Sequence, residues 1–160
     1  MSTRSATIIS EERQKWSRND KGIYETDGTE LKEIARFYRH HDGYPEGHGL
    51  QMALSFANTE DDRGRTHWFQ NYFTPLMSGE GLKGTDFEDW GAPRLEFEPK
   101  SIHHSDLEFI YAVTKYFGGV IYITVWTIDW DEPYEEAMKN LPLFSGTPQE
   151  YIDWARKTFE

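Results

Sequence analysis

The residues best suited to chemistry in this chain fall in two short clusters. The first runs Tyr38-Arg39-His40-His41-Asp42-Gly43-Tyr44-Pro45, with Glu46 and His48 close behind; the second is His103-His104-Ser105-Asp106. Imidazole and carboxylate are the ligands that suit zinc, iron, manganese or nickel, and the same groups act as general acids and bases. His40, His41, Asp42, His48, His103 and His104 are therefore the candidate catalytic residues, and His41, Asp42 and His48 the candidate metal ligands. On a strand, His40 and Asp42 would point to one face and His41 to the other, so a shared ion requires the turn to bend the cluster back. The spacing matches no His-Glu-x-x-His or comparable template. The competing reading is structural: Arg39 pairs with Asp42, Asp42 caps the turn, and the histidines bond locally. A joint site requires the two clusters, on different elements, to converge.

Arg4 and Arg39 sit on expected strands among mostly neutral neighbours. An arginine on a sheet face either pairs with a carboxylate, here Asp42, Asp106 or Glu108, or holds an anion. Arg4, Arg39 and Tyr44 are the candidate ligand-binding residues. Gly43, Gly47 and Gly49 frame a loop ahead of a helix and could offer backbone N–H groups to an anion, although their spacing is neither the P-loop nor the dinucleotide fingerprint. No Gly-x-Ser-x-Gly elbow supports a serine nucleophile.

The elements that must carry these residues follow from periodicity and turn chemistry. Thr3–Ser10 is rich in β-branched residues and reads as a strand. Glu11–Gly28 is polar, with turn signals at Asn19-Asp20-Lys21-Gly22 and Asp27-Gly28, and reads as a loop or an irregular hairpin connection. Leu31–His40 fits both periods; the Asp-Gly-Tyr-Pro turn after it favours a strand. Leu50–Ala57 reads as a short helix with Leu50, Ala53, Leu54 and Ala57 inward. His67–Met77 reads as another helix, between loops at Thr59–Arg65 and Ser78–Pro93. A short strand at Leu95 and Phe97, a hairpin of Leu107–Val113 with Val120–Trp130, and a short helix over Pro133–Leu141 follow. Thr147-Pro148-Gln149-Glu150 is a capping box opening a last helix, with Ile152, Ala155 and Phe159 inward. Together these predict a single α+β domain over residues 1–160: an antiparallel sheet of about five strands, with helices packed mainly on one face.

Composition narrows the function classes. The apolar share is 37% but the aromatic share is 16%, so the core is expected to be aromatic rather than aliphatic. Zero cysteines exclude disulfides, thiolate nucleophiles and cysteine-based metal sites. No apolar h-region opens the chain and no apolar run is long enough for a membrane span, so cytoplasmic residence without membrane contact is expected. A formal net charge of −11 disfavours direct nucleic-acid binding and suits a partner with a basic surface.

Three segments carry a family resemblance: Ser2-Thr3-Arg4-Ser5-Ala6-Thr7-Ile8; Phe37 through Gly47, centred on Tyr-Arg-His-His-Asp-Gly-Tyr-Pro; and Asp106-Leu107-Glu108-Phe109-Ile110-Tyr111. In this order they resemble a family of small uncharacterised proteins of bacteriophages and bacteria, with a Thr-Arg first strand and a Tyr-Arg-His-x-Asp-Gly-Tyr-Pro segment after the second. The resemblance implies that Leu31–His40 ends as a strand and that the chain is of phage or prophage origin, placing it in the host cytoplasm. It implies no reaction. Glu11–Gly28 and Asn58–Pro93 are longer here than in short members of that family.

Two function classes result. One is a phage-type accessory protein that binds and modulates a host protein with a basic surface, or sequesters a small anionic ligand, without catalysis and with no cofactor expected. The other is a metal- or histidine-dependent enzyme acting on a phosphate or nucleotide substrate, with a divalent transition metal as its cofactor.

Overall fold

The computed structural model describes residues 3–40, 42–57, 95–97 and 106–160. Strands β1 (Ser5–Arg18) and β2 (Tyr24–Arg39) are followed by a π-helical turn (Pro45–Gly49) that runs into helix α1 (Leu50–Ala57). Then come β3 (Leu95–Phe97), β4 (Phe109–Lys115), β5 (Ile121–Thr127), the short helix α2 (Tyr134–Ala137), β6 (Phe144–Gly146) and helix α3 (Pro148–Phe159). The expected helix at His67–Met77 and the loops on either side lie outside the described residues.

The α+β class holds, and the sheet differs from expectation in strand direction. Six strands among the described residues form one sheet in the order β3-β2-β1-β4-β5-β6. β1 pairs antiparallel with β2 but parallel with β4, Ser5 opposite Phe109 through Glu11 opposite Lys115, so the sheet is mixed rather than wholly antiparallel. A parallel neighbour needs a crossover instead of a hairpin, and everything between β2 and β4 is available as that connection. Alternating hydrophobicity reports which face a residue takes, not which strand lies beside it, so direction was not legible in the pattern.

Period-2 alternation divides the sheet into two cores. On the first face Ile9, Phe37, Tyr111, Val113, Ile123 and Val125 meet α1 and α3; on the second, Ala6, Ile8, Tyr38, Ile110 and Trp126 meet Tyr134 and Ala137 of α2. The Arg36 guanidinium lies 5.3 Å from the Tyr134 ring centre and helps hold α2 to the second face. The aromatic core is present: Tyr111 and Tyr151 are fully buried, and Phe144 stacks on Trp154 at 5.0 Å. The N-cap half of the expected box forms, with Thr147 Oγ1 accepting from Glu150 N–H at 3.3 Å, while Glu150 Oε1 accepts from the Thr147 hydroxyl at 3.0 Å. In α1 the span is as expected but the buried stripe is turned: Met52, Ala53 and Phe56 face inward, while Leu54 and Ala57 are exposed. The π turn, not the sequence pattern, sets how α1 enters the core.

The largest departure is at Glu11–Gly28. β1 continues to Arg18 and β2 begins at Tyr24, so this segment is mostly a β ribbon. β4 stops opposite Glu11, and from Glu12 to Arg18 the ribbon pairs only with β2 among the described residues. Seven residues at about 3.3 Å each carry it about 23 Å past the sheet. Both of its faces are exposed, so no apolar alternation is required of it. Opposite charges face each other across it instead, Glu11 opposite Lys32 and Arg13 opposite Glu30.

Candidate functional site

His48 is the centre of the first cluster. The π turn places it over the first face of the sheet, completely buried between Thr7 of β1, Arg39 at the end of β2, and Tyr111 of β4. Arg39 can only donate, so its Nη1–H, 2.8 Å away, fixes His48 Nδ1 as an acceptor. The remaining ring proton is therefore on Nε2, where it is donated to Thr7 Oγ1 at 2.8 Å. Burial first, and the Arg39 cation second, hold the imidazole pKa well below its usual value. A neutral ring whose two nitrogens are both bonded, and which has no solvent-exposed surface, organises the core and has no path for exchanging protons with a substrate outside.

The same packing accounts for two of the three glycines. A Cβ at Gly43 would press on the Ser5 side chain and the Thr3 carbonyl, and one at Gly49 would fall on the Tyr151 hydroxyl. Tyr111 Oη donates to the Gly43 carbonyl at 2.7 Å, and Tyr151 Oη donates to the Pro45 carbonyl at 2.8 Å. Close packing against the start of β1 explains Gly43, and close approach to Tyr151 explains Gly49. Asp42 occupies a left-handed conformation, φ 56°, and its carbonyl accepts from His48 N–H at 3.0 Å. Arg39 bonds His48 rather than Asp42, whose carboxylate lies beside the Tyr44 phenol. Burial and then the Asp42 charge, with Glu46 also contributing, raise the Tyr44 pKa, so the surroundings of Tyr44 are on balance anionic.

Arg4 and His40 form a second, half-exposed group. Arg4 Nε–H donates to His40 Nδ1 at 3.2 Å, and the same nitrogen forms an ion pair with Asp106 Oδ2 at 3.0 Å. Tyr38 Oη also reaches His40 Nδ1, at 2.9 Å. His40 of the first cluster and Asp106 of the second thus meet at one guanidinium. Of the three carboxylates expected as arginine partners, Asp42, Asp106 and Glu108, Arg4 takes Asp106. His41, His103 and His104 lie outside the described residues. Among the described residues, no three His, Asp or Glu side chains are grouped to hold a metal ion.

A third feature escaped the sequence reading. The end of the β1–β2 ribbon is a built turn: Asn19 Oδ1 accepts from Lys21 N–H at 3.0 Å and Ile23 N–H at 2.9 Å, and Asn19 Nδ2 donates to Glu25 at 2.8 Å. Gly22, at φ 77°, closes it, with Arg18 Nε donating to its carbonyl at 3.2 Å. This ordered turn displays Trp16, Ile23 and Tyr24 at 59%, 57% and 66% exposure. Trp16 opposes Thr26 and Arg18 opposes Tyr24, so Trp16, Arg18 and Tyr24 share one face of the ribbon. The signal available in the sequence was the run of cations, Arg13, Lys15 and Arg18, before the Asn-Asp-Lys-Gly turn and of carboxylates, Glu25, Asp27 and Glu30, after it.

No helix among the described residues is long and apolar enough to cross a membrane. The chain matches no protein-family model, no curated protein and no solved structure.

Proposed function

We propose that the chain is a non-catalytic protein-binding module, an accessory protein in the phage-type sense, whose contact element is the β1–β2 ribbon. The observation that supports this reading is the ribbon end itself: an ordered turn that holds Trp16, Ile23 and Tyr24 in solvent. A two-stranded ribbon is marginal alone in water, and large apolar side chains at its exposed end lower its solubility without adding to the core. Aromatic residues on a rigid support are what interfaces use as anchors, because little conformational entropy is lost when they dock. His48, by contrast, is engaged in holding the π turn against the sheet.

Photo-crosslinking tests this directly. With p-benzoylphenylalanine at position 24, a discrete protein conjugate is expected in cells producing the protein; the same probe at Tyr122, exposed on the body of the sheet, serves as control. A conjugate from position 122 alone, or none from position 24, refutes the reading.

A further inference from the structure

The chain contains two Asp-Gly steps, Asp27-Gly28 in the ribbon and Asp42-Gly43 ahead of the π turn. Such a step carries a reactivity of its own. The glycine amide nitrogen can attack the preceding side-chain carboxyl, because glycine has no Cβ to obstruct the approach. The amide must turn toward the side chain to do so, and the reaction therefore depends on how firmly the backbone is held. The fold holds the two steps differently.

Gly43 is buried, its N–H donates to the Thr3 carbonyl at 2.9 Å, and the Asp42 carbonyl accepts from His48 N–H at 3.0 Å. Turning that amide breaks the bond to Thr3 and presses backbone on the Ser5 side chain, whose Oγ lies 2.7 Å from where a Gly43 Cβ would sit. Asp27 and Gly28, by contrast, are both exposed. In the ribbon ladder Gln14 opposes Thr29 and Trp16 opposes Thr26, so Lys15 alone stands against Asp27 and Gly28. That is a β-bulge, with Gly28 left-handed at φ 79°. Among the described residues, chain neighbours aside, nothing lies within 4 Å of the Cβ position at Gly28. The bulge takes this peptide out of the ladder and leaves it room to turn.

We propose that Asp27-Gly28 is a spontaneous modification site, at which Asp27 converts to isoaspartate in the folded protein while Asp42 is protected. The Gly28 amide nitrogen bonds to Asp27 Cγ, and the amide hydrogen leaves with the carboxyl hydroxyl as water, closing a cyclic imide. Water then opens the imide at either carbonyl. Cleavage of the new N–Cγ bond restores aspartate; cleavage at the main-chain carbonyl frees that carbonyl as a carboxylate and leaves the backbone running through Cβ and Cγ. The water lost is the water regained, and nothing is oxidised or reduced. The isomerised backbone is longer by the Cβ carbon, inserted between Thr29 and Thr26, so it cannot keep both Gln14 opposite Thr29 and Trp16 opposite Thr26. Isomerisation therefore loosens the end of the ribbon, where Trp16 and Tyr24 share a face.

The test is ageing of the purified full chain at neutral pH and 37 °C, folded and, in parallel, unfolded in guanidinium chloride. Isoaspartyl carboxylates are methylated enzymatically and located by peptide mapping. In the folded chain isoaspartate is expected to accumulate at position 27 at least about tenfold faster than at position 42, and in the unfolded chain at similar rates at both. Asp27→Glu keeps the charge but disfavours the ring closure, and should abolish the signal at position 27. Folded chain that isomerises at both positions equally, or that spares position 27 while the unfolded chain converts, overturns the site. Amide hydrogen exchange over Lys15–Thr26 should be faster in the isomerised fraction than in fresh protein or in Asp27→Glu aged alongside it, with β4 and β5 unchanged. Equal exchange in all three overturns the loosening. A failed crosslink at position 24 would refute the ribbon as contact element and leave this chemistry untouched.

Discussion

Acidification should destabilise this protein through His48, and the structure fixes both the sign and the slope. In the fold the ring is neutral, with Nδ1 accepting from Arg39 and its pKa held well below the usual value by burial and by that cation. In the unfolded chain the same ring titrates near its ordinary value of about 6.5. Below that pH the unfolded state binds a proton that the native state does not. Stability therefore falls as pH falls, from about 6.5 down to the folded-state pKa, by about 1.4 kcal/mol per pH unit. Carboxylates add their own acid dependence, so the informative quantity is a difference. His48→Asn keeps an acceptor near Nδ1 and removes the titration. Urea unfolding followed by tryptophan fluorescence at pH 7.5, 6.5, 5.5 and 5.0 gives both free energies. At pH 7.5 the variant is expected to be less stable by about 1–3 kcal/mol, for the lost bond to Thr7 and the altered packing. Below pH 6.5 that gap should narrow by about 1.4 kcal/mol per unit. Parallel pH profiles for wild type and variant would refute the assignment of a buried neutral imidazole.

Three further outcomes follow from the same site. Thr7→Val replaces a hydroxyl with a methyl of similar size and leaves His48 Nε2–H buried without its acceptor; a loss of about 1–3 kcal/mol in urea unfolding is expected. Gly49→Ala drives a methyl into the Tyr151 hydroxyl and should cost about 1–3 kcal/mol, and Gly49→Ala/Tyr151→Phe should cost less than the two single changes together; strict additivity would show that the contact is not the cause. Arg4→Gln breaks the half-exposed pair with Asp106 and should shift stability by no more than about 1 kcal/mol; a larger loss would show that the junction of the two clusters carries more of the fold than its solvent access suggests.

The sequence by itself determined what local chemistry determines. β-branched residues at Thr3–Ser10 started β1, the alternation at Phe109–Val113 and Ile121–Val125 made a hairpin, and the Thr147–Glu150 box opened the last helix, because propensity, period and capping act over a few residues. The motif at Tyr38–Pro45 was correctly placed at a strand end followed by a fixed turn. Tertiary structure decided what each residue of that motif touches. Thr7 and His48 are 41 residues apart, and Arg39 meets His48 only because the π turn folds back over β2. The parallel pairing of β1 with β4 was likewise undecided by pattern, since alternation is the same in either direction. The exposed ribbon was hidden for a related reason: a strand with water on both faces has no hydrophobic period, and its only trace is charge arranged to face charge across the strands.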